Sequence, residues 1–200
     1  DLTDEDLIPE EDLIVTLSKE GYAKTQPLDA YQAQNRGGTG KRAASLKDED
    51  FVSKLFVANT HDTLLCFSSY GKVYWIKVYR LPRGGRNAKG RPIVNLLPLE
   101  KDERIQAVLP VKEFNDDQFI FMATESGSVK KTKLSAYSRP MKSGIKAIKL
   151  REGDRVVNAE ITDGSKEIML FSNSGKSIRF KETDARPMGR VSQGVRGMRI

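Results

Sequence analysis

The sequence predicts an all-β protein built from four similar repeats, and three observations lead to this prediction. A Ser or Thr, two further residues and a glycine recur after apolar runs, and the glycines are Gly21, Gly71, Gly127 and Gly175, at intervals of 50, 56 and 48 residues. A short basic segment follows each glycine, and a loop rich in Arg, Lys and Gly comes later in each repeat. Periods near fifty residues are typical of stacked or radially arranged β units.

The start of the chain differs in composition from the rest. Residues 1–12 are acidic and contain Pro9, and the apolar, partly β-branched run at residues 13–17 follows them. We interpret residues 1–12 as an acidic linker that leads into the first strand. Residues 13–200 are predicted to form one domain, because a repeat array buries its core between neighbouring repeats.

Within each repeat, the turn glycine predicts a β-hairpin, since tight Gly-containing turns between strand-like segments are typical of hairpins. In the second repeat the predicted order is a strand at residues 64–67, a turn at 68–71, a strand at 72–79, a basic loop up to residue 92, a strand at 93–97, an acidic turn at 100–103 and a strand at 105–108. The third repeat has a predicted strand at 145–150, an acidic turn at 151–154 and a strand at 156–159.

Four strands per repeat match the blade of a β-propeller, in which radial repetition leaves only short sheet edges. A linear array of sheets is the alternative. Helix signals are confined to short stretches at residues 27–33 and 46–50. The fourth repeat reaches Ile200 before any acidic turn, so we expect it to lack its last strand.

The charge of the chain is unevenly distributed. Its net charge is +7, yet residues 1–20 hold eight acidic side chains and one lysine. The remaining 180 residues therefore carry 33 basic and 19 acidic side chains, a surplus of 14 positive charges. A surplus of this size raises the local concentration of polyanions and speeds their capture. Nucleic acid is the leading partner class, and an anionic membrane is the second.

The cysteine count and the hydropathy pattern indicate a cytoplasmic protein. Cys66 is the single cysteine, so no internal disulfide or Cys-based metal cage can form, and its apolar neighbours are typical of a strand core. No apolar stretch approaches the roughly twenty residues that span a bilayer. The first residues are acidic, unlike those of a signal peptide.

Signatures of nucleotide binding and catalysis fail in this chain. The string GTGK at residues 38–41 suggests a phosphate-binding loop, but Asn35 stands where that loop needs its first glycine and Arg42 where it needs Ser or Thr. A relaxed dinucleotide pattern also begins at Gly38, without a surrounding βαβ unit. His61 is the only histidine and has no partner pattern. We therefore predict no catalytic centre and no metal site.

The basic loops and strands are the candidate DNA-binding elements, because their charge recurs in phase with the repeats. A radial arrangement would place the loops on one rim, where spaced cations and glycine N–H groups suit phosphates. The alternative is that these cations only protect strand edges. The loops contain no aromatic residues, which favours duplex over single-stranded binding. The basic candidates are Arg36, Lys41, Arg42, Lys72, Arg86, Lys89, Arg91, Lys130, Lys131, Arg139, Lys142, Lys146, Arg186, Arg190 and Arg196.

The segment at residues 32–41, QAQNRGGTGK, resembles the box motif of the DNA gyrase A subunit. Further segments resemble the C-terminal domain of that subunit, namely EEDLIVTLSKEGYAKTQPL, VANTHDTLLCFSS, GRPIVNLLPLEKDERI, FMATESGSVKKT and GVRGMRI. Carried over by position, the box residues are Gln34, Arg36, Gly37, Gly38 and Gly40. Asn35 and Thr39 stand where the family usually has basic residues, which removes two possible positive charges.

The resemblance implies a β-pinwheel, a propeller-like disc whose blades exchange strands and around whose basic rim duplex DNA wraps. It implies that the wrap lets an ATP-driven enzyme introduce negative supercoils. The expected partners are duplex DNA, the remainder of the gyrase A protein and the B subunit in an A2B2 holoenzyme, near the nucleoid. The isolated domain is expected to be monomeric and to need no cofactor, whereas the holoenzyme would use ATP and Mg²⁺. The catalytic tyrosine would lie in another domain.

Two other functions stay open at this point. The equivalent domain of topoisomerase IV, an enzyme of decatenation, has degenerate boxes, and the RGG-G core here favours gyrase. A propeller that binds acidic proteins through the same basic belt is an alternative of a different class.

Overall fold

The computed structural model describes residues 4–35, 52–85, 87–171 and 177–197. The all-β prediction is confirmed, since that part of the chain is built mainly of short strands. These are β1 Asp12–Ser18, β2 Tyr22–Pro27, β3 Val52–Asn59, β4 Thr63–Ser68, β5 Lys72–Lys77, β6 Arg91–Pro92, β7 Ile105–Val111, β8 Phe119–Thr124, β9 Ser128–Lys133, β10 Ile145–Lys146, β11 Val156–Thr162, β12 Glu167–Phe171, β13 Ser177–Lys181 and β14 Val195–Arg196.

Helical structure is short. The helix α1, Leu28–Asn35, confirms the helix signal at residues 27–33, whereas the signal at residues 46–50 lies outside the described residues. Single 3-10 turns follow several strands, and another, Asp4–Leu7, lies in the acidic lead-in. No helix in the described ranges is long and apolar enough to cross a membrane.

The chain divides into two compact units. Unit 1 comprises Asp1–Leu64 and Ile76–Pro98, and unit 2 comprises Leu65–Trp75 and Leu99–Ile200. The strands β4 and β5 each have residues in both units because the chain passes from one unit to the other within them. Strand β1 begins at Asp12, the last residue of the predicted lead-in.

The recurring Ser/Thr-x-x-Gly motif is a hairpin turn, as predicted. In unit 1 the Gly21 N–H donates to the Ser18 carbonyl at 3.0 Å, and the Tyr22 N–H donates to the Ser18 hydroxyl at 3.0 Å. Gly21 has φ +87°, a left-handed conformation that favours glycine. The same two hydrogen bonds form at Ser68 and at Thr124 in unit 2. The fourth turn lies outside the described residues.

The sheets share strands between repeats, which the resemblance implied. The strand orders are β3-β1-β2-β6, β10-β5-β4-β7 and β11-β8-β9-β14, and a fourth sheet pairs β12 with β13 within the described residues. The two-residue strands β6, β10 and β14 each come from the basic loop of the following repeat and pair with the second strand of the preceding hairpin. We call these segments, residues 83–91, 139–146 and 186–196, the exchanged loops.

The predicted strands at residues 93–97 and 145–150 are wrong in extent. Only two residues of each exchanged loop pair as a strand, and Ile93–Asn95 forms a 3-10 turn. Ile93 and Leu97 are buried while the residues between them are more exposed. The apolar residues Ile93 and Leu97 therefore pack inward on either side of a 3-10 turn and do not form a strand.

The core of unit 2 is one cluster of buried apolar side chains drawn from two sheets and the 3-10 turn Leu134–Tyr137. Phe67 and Tyr137 meet edge to face with ring centroids 5.6 Å apart, and the indole N–H of Trp75 donates to the Tyr137 carbonyl at 2.9 Å. Cys66 is buried in β4, as predicted, and burial raises the pKa of its thiol to about 12. These interactions hold the hairpins on which the exchanged loops rest.

Candidate nucleic-acid interface

Each exchanged loop contains, one or two residues before its end, a glycine that lies against the preceding hairpin. Gly90, Gly144 and Gly194 have φ values of +85°, +74° and +80°. A Cβ atom on Gly90 would overlap the carbonyl oxygen of Ala23, and one on Gly194 would overlap that of Val129. The loops therefore require glycine there, both for the left-handed backbone and for the close approach.

The turn glycines of the hairpins receive the exchanged loops. The Gly21 carbonyl accepts a hydrogen bond from the Ile93 N–H at 2.7 Å, and the Gly127 carbonyl accepts one from the Gly197 N–H at 2.8 Å. In each case the donor lies three residues after the glycine near the end of the loop, Gly90 or Gly194. The same hydrogen bond thus attaches the end of each loop to its hairpin, and it fixes the position of the basic side chains relative to the sheet.

In unit 1, the cations of loop 83–91 are exposed but partly neutralised. The Arg83 guanidinium forms an ion pair with Glu11 at 2.9 Å. The Lys89 ammonium lies 3.9 Å from a carboxylate oxygen of Glu20 and 4.5 Å from the centroid of the Tyr22 ring. Arg91 is exposed and forms no ion pair with the described residues. Two of the three described cations of loop 83–91 therefore already have acidic partners.

In unit 2, the loop cations are exposed and have no acidic partners among the described residues. The exposed side chains are those of Arg139, Lys142, Lys146, Arg186 and Arg196, and Arg190 is partly exposed. The two loops also contact each other, because the Arg190 guanidinium donates to the Lys146 carbonyl at 3.2 Å and the Lys149 N–H donates to the Ser192 carbonyl at 3.0 Å. Unit 2 therefore joins two loops into one basic surface.

Lys72 was predicted to bind DNA, and its side chain is half-buried beneath loop 139–146. Its ammonium donates to the Ser143 carbonyl at 3.1 Å and lies 5.3 Å from the centroid of the Tyr74 ring. The same ammonium group that would meet a phosphate thus also braces the loop backbone.

Lys130 and Lys131 are corrections to the predicted set, because both side chains are buried. The Lys131 ammonium forms an ion pair with the fully buried Glu182 at 3.0 Å. Burial raises the pKa of the Glu182 carboxyl, but hydrogen bonds from Thr162, Lys131 and the Lys166 N–H outweigh this effect. The pKa of Glu182 therefore lies below its usual range. Strand β9 is covered on both faces, so the usual alternation of exposed and buried residues fails there. Neither ammonium is available to a phosphate.

Lys130 is only 2% exposed as a residue, and backbone carbonyls surround its ammonium. Burial, with a smaller effect of the Arg190 guanidinium, lowers its pKa to about 7. Lys24 makes comparable contacts in unit 1, where its ammonium donates to the carbonyls of Gly85 at 3.1 Å and Ala88 at 3.0 Å. Lys24 was not among the predicted residues, although its spacing from the turn glycine matches that of Lys130.

Several predicted residues cannot be placed. Gln34 belongs to α1, but its side chain lies outside the described residues. The other predicted residues outside the described ranges are Arg36, Gly37, Gly38, Gly40, Lys41, Arg42 and Arg86. Within those ranges, no group of three or more His, Cys, Asp or Glu side chains could hold a metal ion.

Antiparallel sheets that borrow an edge strand from the next repeat, and that expose cations from the borrowed loop, define a strand-exchanged module of the propeller class. The chain belongs to the family described as DNA gyrase C-terminal domain, beta-propeller, which matches residues 12–59, 62–112, 118–163 and 166–200. This membership confirms the family that the box motif and the other segments indicated.

The curated relatives are DNA gyrase A subunits that are much longer than this chain. The chain is 62% identical over 184 residues to the DNA gyrase A subunit of Aeromonas salmonicida, a match that covers 92% of this chain and 20% of that protein. It is 58% identical over 200 residues to the DNA gyrase A subunit of Salmonella typhimurium, covering all of this chain and 23% of that protein. The chain therefore spans about a fifth of the length of these relatives.

Solved structures with the same fold come from two enzymes. The C-terminal domain of a DNA topoisomerase IV matches with a TM-score of 0.80 at 32% identity and covers 96% of this chain and 58% of that one. A DNA gyrase A C-terminal domain matches with a TM-score of 0.65 at 26% identity and covers 94% of this chain and 61% of that one.

Proposed function

We propose that this chain binds duplex DNA without strong sequence preference and wraps it, as part of a DNA gyrase A protein. The observation that carries the proposal is the basic surface of unit 2, where two exchanged loops contact each other and expose cations that have no acidic partners among the described residues. Family membership supports the same function.

The chemistry of this surface suits a phosphate backbone. Its cations recur at equivalent positions of successive repeats and stand among glycines, while Arg and Lys bind phosphate without reading base sequence. The loops carry no aromatic side chain on which an unpaired base could stack. Bending 20–30 base pairs by 40–90° costs on the order of 1–6 kcal/mol, so a wrap needs contacts at several successive points. Repeated loops supply such points.

The role within a larger enzyme is a further part of the proposal, because the chain spans only about a fifth of its relatives. The wrapped DNA would be presented to the remainder of the gyrase A protein and to the B subunit in an A2B2 holoenzyme. That holoenzyme would use ATP and Mg²⁺ to introduce negative supercoils in the cytoplasm, at the nucleoid. The catalytic centre would lie outside this chain, which would act by holding DNA.

The box residues remain part of the proposal as sequence predictions. Gln34, the segment at residues 36–40 and the following Lys41 and Arg42 are proposed to bind and position DNA on the first repeat. Replacing residues 36–40 by alanine should abolish supercoiling by the reconstituted enzyme while relaxation of supercoiled DNA continues. Unchanged supercoiling would contradict a role for the box.

Topoisomerase IV is the second candidate parent enzyme, and the fold similarity to its C-terminal domain favours it. The higher identity of 58–62% to gyrase A proteins favours gyrase. A measurement of DNA linking number distinguishes the two candidates, because we expect a gyrase module to change the linking number of the DNA that it wraps.

The experiment is ligation of nicked DNA circles on the chain, followed by removal of protein and separation of topoisomers. We expect a shift of the linking number that grows with protein concentration and disappears in high salt. A variant with Arg139→Ala, Lys142→Ala and Lys146→Ala should reduce the shift, whereas Lys133→Ala, which removes an exposed cation outside the loops, should preserve it. Binding without a shift would refute wrapping, and no binding would favour a protein-binding module.

A further inference from the structure

Lys24 and Lys130 occupy the same position in two different hairpins. Lys24 is the third residue after the turn glycine Gly21, and Lys130 is the third residue after Gly127. Each lies on the second strand of its hairpin, β2 or β9, which is the strand that receives the exchanged loop. Equivalent positions with the same residue type indicate a shared task.

In both hairpins, the lysine ammonium binds the backbone of the exchanged loop. The Lys24 ammonium donates to the Gly85 and Ala88 carbonyls of loop 83–91 at 3.1 and 3.0 Å. The Lys130 ammonium donates to the carbonyls of Gly189, Arg190 and Ser192 at 3.0, 2.5 and 3.4 Å. The Lys130 ammonium also donates, at 2.5 Å, to the carbonyl of Ala147, the residue directly after loop 139–146.

These contacts determine the loop conformation because several carbonyls converge on one cation. An ammonium group has three N–H donors and no acceptor, so it can bind several converging carbonyl oxygens at once. The Gly85, Gly189 and Ser192 carbonyls also accept backbone N–H bonds, from Ala88, Ser192 and Lys149 respectively, so for them the ammonium is a second donor. Hydrogen bonds to charged groups are stronger than those between neutral groups. Loss of the ammonium would remove these stronger bonds, so we expect the loop to open more often.

The inward carbonyls also orient the outer surface of loop 186–196. In a trans peptide the C=O and N–H groups point in opposite directions. The carbonyls of Gly189 and Arg190 point at Lys130, so the N–H groups of Arg190 and Val191 point away from it. Successive outward N–H groups attract anions. One buried cation thus arranges backbone donors beside the exposed Arg186 and Arg196 side chains.

The second hairpin holds its loop by a different means. Tyr74 occupies the position equivalent to Lys24, and its ring lies where a Cβ on Gly144 would stand. The Tyr74 hydroxyl donates to the buried Glu103 carboxylate at 2.9 Å. Lys72, two residues before Tyr74, supplies the ammonium that binds the loop carbonyl of Ser143. An ammonium on a loop carbonyl therefore occurs at all three hairpins that receive an exchanged loop within the described residues.

We propose that Lys24 and Lys130 are positioning residues of the DNA-binding surface, which hold the exchanged loops in the conformation that binds duplex phosphates and do not themselves contact DNA. This inference rests on the proposed function for its DNA part. The holding of the loops is measurable without DNA.

The test uses the 200-residue chain, with hydrogen exchange of the loops and affinity for a short DNA duplex as the two measurements. Lys24→Met removes the ammonium and keeps the length of the side chain, Lys24→Arg keeps the charge, and Lys19→Met removes one exposed charge from unit 1 as a matched control. We expect Lys24→Met to speed exchange of loop 83–91 by about tenfold, as loss of hydrogen bonds to a charged group implies. DNA affinity should fall further than in Lys19→Met, and Lys24→Arg should restore both.

Lys130→Met, with Lys133→Met as its matched control, applies the same test to loop 186–196. If Lys130→Met does not fold, the half-buried Lys24 decides the question alone. Equal exchange and equal affinity in each variant and its control would overturn the proposal. If loop exchange responds but the unchanged chain does not bind duplex DNA, the proposed function fails and Lys24 and Lys130 are structural residues only. Restored affinity in Lys24→Arg would support the positioning role.

Discussion

The exchanged loops of unit 1 and unit 2 are built alike but differ in the cations that they offer. Loop 83–91, like loop 186–196, contains a left-handed glycine near its end and adds a two-residue edge strand. Two of its exposed cations have acidic partners, Glu11 and Glu20, whereas the exposed cations of loops 139–146 and 186–196 in unit 2 have none among the described residues. Basic composition alone therefore overstates the charge that a polyanion meets.

The difference is one of degree, because the ion pairs of unit 1 are exposed. Exposed ion pairs contribute about 0.2–1 kcal/mol, so a phosphate can displace Glu11 from Arg83 at small cost. Unit 2 needs no such displacement. We expect unit 2 to dominate at moderate salt and unit 1 to contribute mainly at low salt, where phosphate binding is strongest.

The largest expected effect concerns a lysine that does not face DNA. Lys131→Met removes one partner of the buried ion pair with Glu182, which typically costs about 3–5 kcal/mol. Urea unfolding should record this loss, while Lys133→Met on the same strand should change stability by less than about 0.5 kcal/mol. A variant of unchanged stability but weakened DNA binding would show that Lys131 reaches DNA after all.

The next effect compares the two units directly. Replacing Arg139, Lys142 and Lys146 by alanine should weaken duplex binding about 500-fold to 1000-fold near 0.1 M salt, because each of the three lost phosphate contacts costs close to tenfold there. Replacing Arg83, Lys89 and Arg91 should weaken binding by only about tenfold, since two of these cations must first leave their carboxylates. Fluorescence anisotropy with one duplex measures both. Equal losses would abolish the distinction between the units.

Removal of Glu11 and Glu20, the acidic partners of loop 83–91, should raise the DNA affinity of unit 1 and so reduce its difference from unit 2. Glu11→Gln and Glu20→Gln together free Arg83 and Lys89, so we expect DNA affinity to rise by about threefold to tenfold, in keeping with two exposed ion pairs. Glu113→Gln and Glu152→Gln, which together remove two exposed acids of unit 2 without ion pairs in the described residues, serve as the control for net charge. A rise of the same size in the control would mean that the pairs have no specific effect.

The smallest expected effect is a pH dependence that arises in unit 2. The pKa of Lys130 is about 7 in the folded chain, below its ordinary 10.5, so between these values the unfolded chain binds more protons and stability rises with pH. As pH rises over this range, Lys130 loses a proton and has fewer N–H groups to donate to the loop carbonyls. We expect this partial loss of hydrogen bonds to lower DNA affinity by about twofold to threefold. The charged side chains on the segments that supply these carbonyls are Lys146, Lys149, Arg186 and Arg190, all of them basic.

Opposite trends of stability and affinity between about pH 6 and 8.5, on either side of the pKa of Lys130, distinguish this residue from a general effect of charge. Lys130→Met should remove both trends, whereas Lys133→Met should retain them. If the trends persist in Lys130→Met, the loop is not held by this ammonium.

Features that depend on a few neighbouring residues were predictable from the sequence. The Ser/Thr-x-x-Gly turns were found because a hydroxyl that accepts a backbone hydrogen bond and a glycine with positive φ act within five residues. The short helix α1 was found for the same reason. The family was identified from residues 32–41 and from segments throughout the chain.

Features that depend on distant residues were not predictable. The resemblance implied that strands are exchanged, but nothing within either segment indicates that Val129 pairs with Val195. Lys130 and Lys131 looked like an exposed basic strand, but a loop about sixty residues later covers one and Glu182 pairs with the other. Lys24 was not predicted as a functional residue because a single lysine in a strand does not indicate a role. Its role is inferred from the structure, in which it occupies the position equivalent to Lys130.

The salt dependence of duplex binding tests the central claim most directly. If the six cations Arg139, Lys142, Lys146, Arg186, Arg190 and Arg196 of unit 2 each neutralise a phosphate, the double-logarithmic plot of affinity against salt should have a slope of about −5. Loss of the three cations of loop 139–146 should bring it to about −3. A slope no steeper than about −1, unchanged in that variant, would contradict binding of DNA by the exchanged loops.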